Sequence, residues 1–236
     1  MPDIFTDLSQ RKAALVAGSG LLAMTIFAII AYYLILPGII IPGNAAETAK
    51  NIMANEGLFR ISIFCFIVVA ILDVLVAWAF YVFLRPVNRS ISLLMAWFRL
   101  VYASVLVFCL VFLVIALLLL EENFYLTAFG TEQLYAQMML FIDAFNEGWA
   151  VGFIFFGLHL VLLGYLIFRS DYIPKILGIL VMLAGLSYLI DYLGRVLLPD
   201  LGLEVSTLFG WGELLFMLWL LLKWYKLPEI KDQYEN

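Results

Sequence analysis

Charge is scarce in this sequence, and histidine and cysteine are scarcer still. Asp, Glu, Lys and Arg make up 13% of the 236 residues, while 66% are hydrophobic. A water-soluble domain of this length needs far more polar surface to cover its core, so the bilayer is the solvent. The single histidine, His159, excludes the multi-histidine zinc centres of many membrane hydrolases. Neither His-Glu-x-x-His nor Gly-x-Ser-x-Gly occurs, and no glycine-rich strand–turn–helix offers a nucleotide site. The sequence therefore points to no metal and names no cofactor. Cys65 and Cys109 stand alone in apolar runs and read as small buried hydrophobes, not as a disulfide framework. The basic residues are scattered, which leaves no nucleic-acid footprint. The formal charge of -5 says little, because in membrane proteins the placement of Lys and Arg matters more than their sum.

What the chain has in abundance is long apolar runs. The organising one is Asp143 to Ser170, with acids near its start and His159 further along. Ahead of the first run lies a polar lead in which Ile4, Phe5 and Leu8 suggest a half-turn on the membrane surface. Six spans are expected, at about residues 12–36, 58–84, 90–120, 134–168, 174–198 and 206–225, as a single all-α domain, 1–236. The first is too long for the ~7–15-residue core of a signal peptide and reads as a retained span. Pro37-Gly38 and Pro42-Gly43-Asn44 should stop it, with a polar loop following to Glu56. The fourth helix should begin near Thr131; at ~1.5 Å per residue, 131–168 is ~57 Å long against ~30 Å of hydrocarbon. Part of it should therefore stand in water, with Trp149 marking the interface. Within it, Ala144, Gly148 and Gly152 recur every four residues, a spacing that lets another helix approach closely.

Cations set the orientation. With the N-terminus inside, the inner segments hold Arg11, Lys12, Arg85, Arg89, Arg169, Lys175, Lys223, Lys226 and Lys231, and the outer ends hold Lys50, Arg60 and Arg195. Nine against three is a positive-inside bias that puts both termini in the cytoplasm.

Counting from those basic anchors gives depth. Asp73 lies twelve residues before Arg85, Arg99 ten after Arg89, His159 ten before Arg169 and Glu213 ten before Lys223. Each lands roughly 15–18 Å from the inner interface, near the midplane. Charged groups facing lipid cost a few kcal/mol or more each, so the four should face inward and pair. Arg99 is expected to bridge Asp73 or Glu213, with His159 as hydrogen-bond partner or proton carrier. The same cluster also reads as polar glue between helices. A second set, Arg60, Asp143, Asn146, Glu147, Asp191 and Arg195, falls near the outer face. Asp143 and Glu147 are four apart on one helix face, and so are Asp191 and Arg195. This set reads as a solvated rim or as a funnel leading down to the midplane layer.

Several segments together carry a resemblance: Phe59-Arg60, the Leu84-Arg85-Pro86-Val87-Asn88-Arg89 turn, Phe98-Arg99-Leu100, Phe155-Phe156-Gly157-Leu158-His159-Leu160, Gly164-Tyr165-Leu166-Ile167, Pro174-Lys175-Ile176-Leu177-Gly178 and Ala184-Gly185-Leu186-Ser187-Tyr188. The chain resembles a family of bacterial and archaeal membrane proteins known only as a domain of unknown function. The resemblance implies a six-span inner-membrane protein and places Arg60, Asp73, Arg99 and His159 at motif positions. It brings no substrate and no catalytic residue.

Three readings follow. In the first, a small solute, ion or proton binds in, or moves through, the midplane layer. In the second, an intramembrane enzyme acts on a lipid or quinone-like substrate with His159 as general base or ligand, which requires an acid within hydrogen-bond reach of His159 and an apolar cavity open sideways to lipid. In the third, the chain is a non-catalytic membrane partner subunit. The expected partners are membrane lipids, a small-molecule or ion ligand, and a second copy or another membrane protein.

Overall fold

Leucine, isoleucine, alanine and phenylalanine dominate the apolar runs, and in lipid a helix satisfies every backbone polar group within one segment, which outweighs the lower helix propensity of isoleucine. A computed structural model describes residues 8–121 and 127–227. The surface half-turn expected at Ile4 and Phe5, Glu122 and the charged tail beyond Leu227 lie outside the described residues. Among the described residues every regular element is helical. They are α1 (Gln10–Ala28), a π-helical stretch (Ile29–Ile35), α2 (Leu36–Ile39), α3 (Ala45–Ala54), α4 (Glu56–Leu84), α5 (Arg89–Leu118), α6 (Thr131–Arg169), α7 (Lys175–Leu197), α8 (Ser206–Phe209) and α9 (Gly212–Lys223). Six stretches are long and apolar enough to cross a membrane: Gln10–Ile39, Glu56–Leu84, Arg89–Leu118, Thr131–Arg169, Lys175–Leu197 and Ser206–Lys226. The chain is an all-helical, multi-pass membrane protein. Its exposed apolar faces, among them Leu34, Ile71, Phe108 and Leu222, contact lipid.

Two expectations need correction. Pro37-Gly38 does not stop the first span, which continues to Ile39. The π-helical stretch shifts the hydrogen-bond register just before Pro37, which then sits in the first turn of α2, where its missing N–H breaks no bond. The supposed polar loop before Glu56 is largely a helix, α3. Asn44 caps it: its side chain accepts from the Glu47 N–H at 3.0 Å and donates to the Glu47 carboxylate at 2.8 Å. Thr48, Ala49 and Ile52 form its buried face. Asn44→Ala should cost about 1 kcal/mol, read as a lower thermal midpoint in detergent.

The described residues fall into two compact units. The first comprises the chain up to Leu22, Leu72–Tyr102 and the chain from Phe153 onward; the second comprises Ala23–Ile71 and Ala103–Gly152. The second unit packs Phe59, Ile63 and Phe66 of α4 against Leu106, Cys109 and Leu113 of α5 and against Met138, Ile142 and Phe145 of α6. Trp149, expected as an interface marker, packs edge-on against Phe66 and Tyr32, with centroids 5.2 and 5.9 Å away. A Cβ at Gly148 would lie 2.7 Å from Cys109 Sγ, so this glycine admits α5 against α6. Both cysteines are free and buried.

In the first unit, α6 and α7 cross with their backbones touching. A Cβ at Gly164 would lie 2.6 Å from Gly178 O, and one at Gly178 would lie 2.7 Å from Gly164 O. Two turns away the pattern repeats, with Gly185 2.7 Å from Gly157 O and Gly157 3.0 Å from Gly185 O. Small residues are what permit such an approach, and backbone atoms cannot give way. Gly164→Ala should therefore destabilise by ~1–3 kcal/mol. Gly57→Ala, where nothing lies within 4 Å, should be neutral or slightly stabilising; unfolding by a denaturing detergent compares the two.

Candidate functional site

Four helices contribute to the first unit a buried stripe at three- and four-residue spacing, and each stripe carries one of the four midplane groups. On α4 the stripe is Asp73, Val76, Ala77 and Phe80; on α5 it is Ser92, Met95, Arg99 and Tyr102. On α6 it is Phe156, His159, Leu160 and Leu163, and on α9 Phe216, Met217 and Leu220 continue the face of Glu213. Helical periodicity thus turns all four groups inward. Glu213 stands in the first turn of α9, where the helix dipole favours a negative charge.

Arg99 is the hub. Its Nε donates to Asp73 Oδ1 at 2.9 Å, and its Nη1 donates to Glu213 Oε1 at 2.6 Å. Nη1 also lies 3.0 Å from His159 Nε2, and His159 Nδ1 lies 3.0 Å from the Met95 carbonyl. A carbonyl only accepts, so Nδ1 carries the proton, and Nε2 turns its lone pair to the guanidinium. Both contacts fit a neutral imidazole. Arg99 Cζ also lies over the Phe80 and Phe156 rings, 5.9 and 5.5 Å from their centroids, adding cation–π attraction in a desolvated place. Asp73, Arg99 and His159 are wholly buried, and the Glu213 side chain is 12% exposed.

Two features set this centre apart from a closed salt bridge. The charges do not cancel: one guanidinium faces two carboxylates, beside a neutral imidazole. In addition, Asp73 Oδ2 is buried and accepts no hydrogen bond. A buried ionised oxygen without a donor is costly. Among the described residues no group of three or more His, Cys, Asp or Glu is arranged to hold a metal ion.

The second set of sequence candidates is dispersed. Arg60, in the second unit, pairs with Glu56 at 2.6 Å and Glu121 at 3.1 Å, all exposed; neither acid was singled out from sequence. Asp143 and Glu147 are exposed and Asn146 is half-buried. Asp191, in the first unit, accepts from the Val205 and Ser206 N–H groups with its two oxygens, both at 2.7 Å. It tethers the segment entering α8, a role that its spacing to Arg195 did not reveal. Arg195 is exposed near the end of α7.

A family model described as "Domain of unknown function (DUF4386)" matches residues 16–224. A protein of Archaeoglobus fulgidus described as uncharacterized is 39% identical over 162 residues, which is 69% of this chain and 83% of that protein. No solved structure matches the chain. A multi-pass chain matched over nearly its full length by one family model is thereby placed: it belongs to the DUF4386 family of domains of unknown function.

Proposed function

We propose that this protein binds a proton at the Asp73–Arg99–Glu213 centre and passes it across a prokaryotic plasma membrane. The observation that carries the reading is Asp73 Oδ2, buried without a donor in a centre that holds one acid more than it holds cations. A proton on Asp73 brings the centre to neutrality, and a neutral carboxyl is far cheaper to bury than an ionised one. Arg99 is the fixed charge, held by Asp73, Glu213 and His159 and by two aromatic rings. Glu213, partly exposed, is the group through which the proton is exchanged. His159 positions Arg99; with both ring nitrogens engaged it is no longer the favoured carrier. The polar partners of His159, the Arg99 guanidinium and the Met95 carbonyl, include no acid, which is what the enzyme reading requires beside it. The cation distribution supports cytoplasmic termini, and the six apolar spans support a helical bundle.

Infrared difference spectra recorded across a pH step test this reading. The wild type should show the carbonyl stretch of one protonated carboxylic acid appearing as pH falls, and Asp73→Asn should lose that band. A band that persists unchanged in Asp73→Asn would move the proton elsewhere and end the assignment.

A further inference from the structure

A second site lies at the other end of the same helices, away from the charged centre. The turn between α6 and α7 faces the end of α9 across a cleft of about 350 Å³, lined by Asp171, Tyr172, Ile173, Trp219, Lys223 and Lys226, among others. That volume falls in the ~300–1,000 Å³ range of small-molecule sites. Ile173 and Leu227 are buried at its base, while Lys223, Lys226 and Asp171 are exposed at its mouth. The walls are fixed. Tyr172 donates to Phe83 O at 3.1 Å, Gln10 donates to the same carbonyl at 3.1 Å, and Arg11 donates to Leu227 O at 2.6 Å. Burial pushes the Tyr172 phenol above its ordinary range, so it adds no charge. Two lysines against one aspartate leave the cleft with one net positive charge.

Its position narrows the ligand. The cleft sits where α9 and the α6–α7 turn leave the apolar layer, on the face that the cation distribution makes cytoplasmic. Adjoining residues Leu222 and Ile176 are 66% and 59% exposed, so acyl chains run beside its mouth. A tryptophan and a tyrosine with paired lysines at this level match the chemistry of the headgroup zone. Lysine takes phosphate as a point charge, and Asp171 opposite the lysines accepts from a hydroxyl or ammonium at the tip of a headgroup. We propose that this cleft holds the phosphodiester headgroup of a glycerophospholipid, its phosphate between Lys223 and Lys226 and its terminal donor on Asp171.

Thermal unfolding of the purified protein in an uncharged detergent tests this with three additives: dioleoylphosphatidylglycerol, dioleoylglycerol and inorganic phosphate. The phospholipid should raise the midpoint of the wild type saturably, and the other two should leave it unchanged. In Lys223→Gln/Lys226→Gln the apparent affinity should fall roughly tenfold or more. Both lysines are exposed, so the variant should keep its own midpoint. Asp171→Ala supplies an independent check, since it removes the hydroxyl acceptor and should weaken phosphatidylglycerol severalfold while leaving the lysines intact. An equal response of the wild type and the lysine double variant overturns the proposal. So does an equal response to dioleoylglycerol, which would reduce the effect to apolar contact. A shift reproduced by inorganic phosphate and lost in the double variant reassigns the cleft to a free anion and overturns the lipid assignment.

Discussion

Arg99→Met should destabilise the protein by about 3–5 kcal/mol, the cost of breaking a buried ion pair by removing one partner. The side chain fills the space left by the aliphatic part of arginine, so the loss is electrostatic and not a cavity. Asp73 and Glu213 then face each other with nothing between them, and His159 Nε2 loses its donor. Replacing the acids in the same background, as Arg99→Met/Asp73→Asn/Glu213→Gln, should recover most of the loss, because a neutral set leaves no buried charge unpaired. Arg99→Lys should fall between the wild type and Arg99→Met. One ammonium keeps the charge but cannot bond Asp73 and Glu213 from two fixed edges or lie over the Phe80 and Phe156 rings as a planar group. The measurement is unfolding by a denaturing detergent, followed for all four proteins. A loss below about 1 kcal/mol for Arg99→Met, typical of exposed pairs, would show that the charges are not coupled as the distances imply.

Much of this site can be read from sequence because membrane helices carry their own depth scale. A basic residue at the interface fixes one end, the rise per residue is constant, and counts of ten to twelve residues put Asp73, Arg99, His159 and Glu213 in one layer. The count leaves rotation open, and rotation decides whether side chains at one depth meet. Here the 3.6-residue stripe on each helix decides it, but in sequences that are apolar on every face the stripe is weak. Tyr102, Val76 and Phe80 are buried while Ile71 and Trp78 are exposed, and no hydropathy scale separates those groups.

The outer set shows the opposite limit. Asp191 was grouped with Arg195 by spacing along α7, yet its oxygens hold backbone amides fourteen and fifteen residues away. Such a contact depends on how a loop folds back. Two signals were present and local: the Asn44–Glu47 capping pair, and the seven-residue spacing shared by Gly157–Gly164 and Gly178–Gly185. The second has meaning only once two helices are known to cross, because each glycine meets a backbone atom of the other.

Asp73→Asn should reduce proton flux by on the order of tenfold or more, measured in proteoliposomes with a trapped pH dye and a potassium diffusion potential. Asparagine keeps an oxygen for Arg99 Nε, so the 2.9 Å bond and the packing around it survive, but the oxygen that would take up a proton is gone. Glu213→Gln should slow flux less, because water near a 12% exposed side chain can still deliver a proton to the interior. His159→Gln should keep flux measurable, since glutamine can accept from Arg99, whereas His159→Leu should reduce it by letting the guanidinium shift. This order separates a proton site from helix glue: glue predicts losses that track stability, with Asp73→Asn among the mildest. If Asp73→Asn carries protons at the wild-type rate while remaining folded, the centre is a fastener between helices, and the unpaired oxygen is only the residue of how they meet.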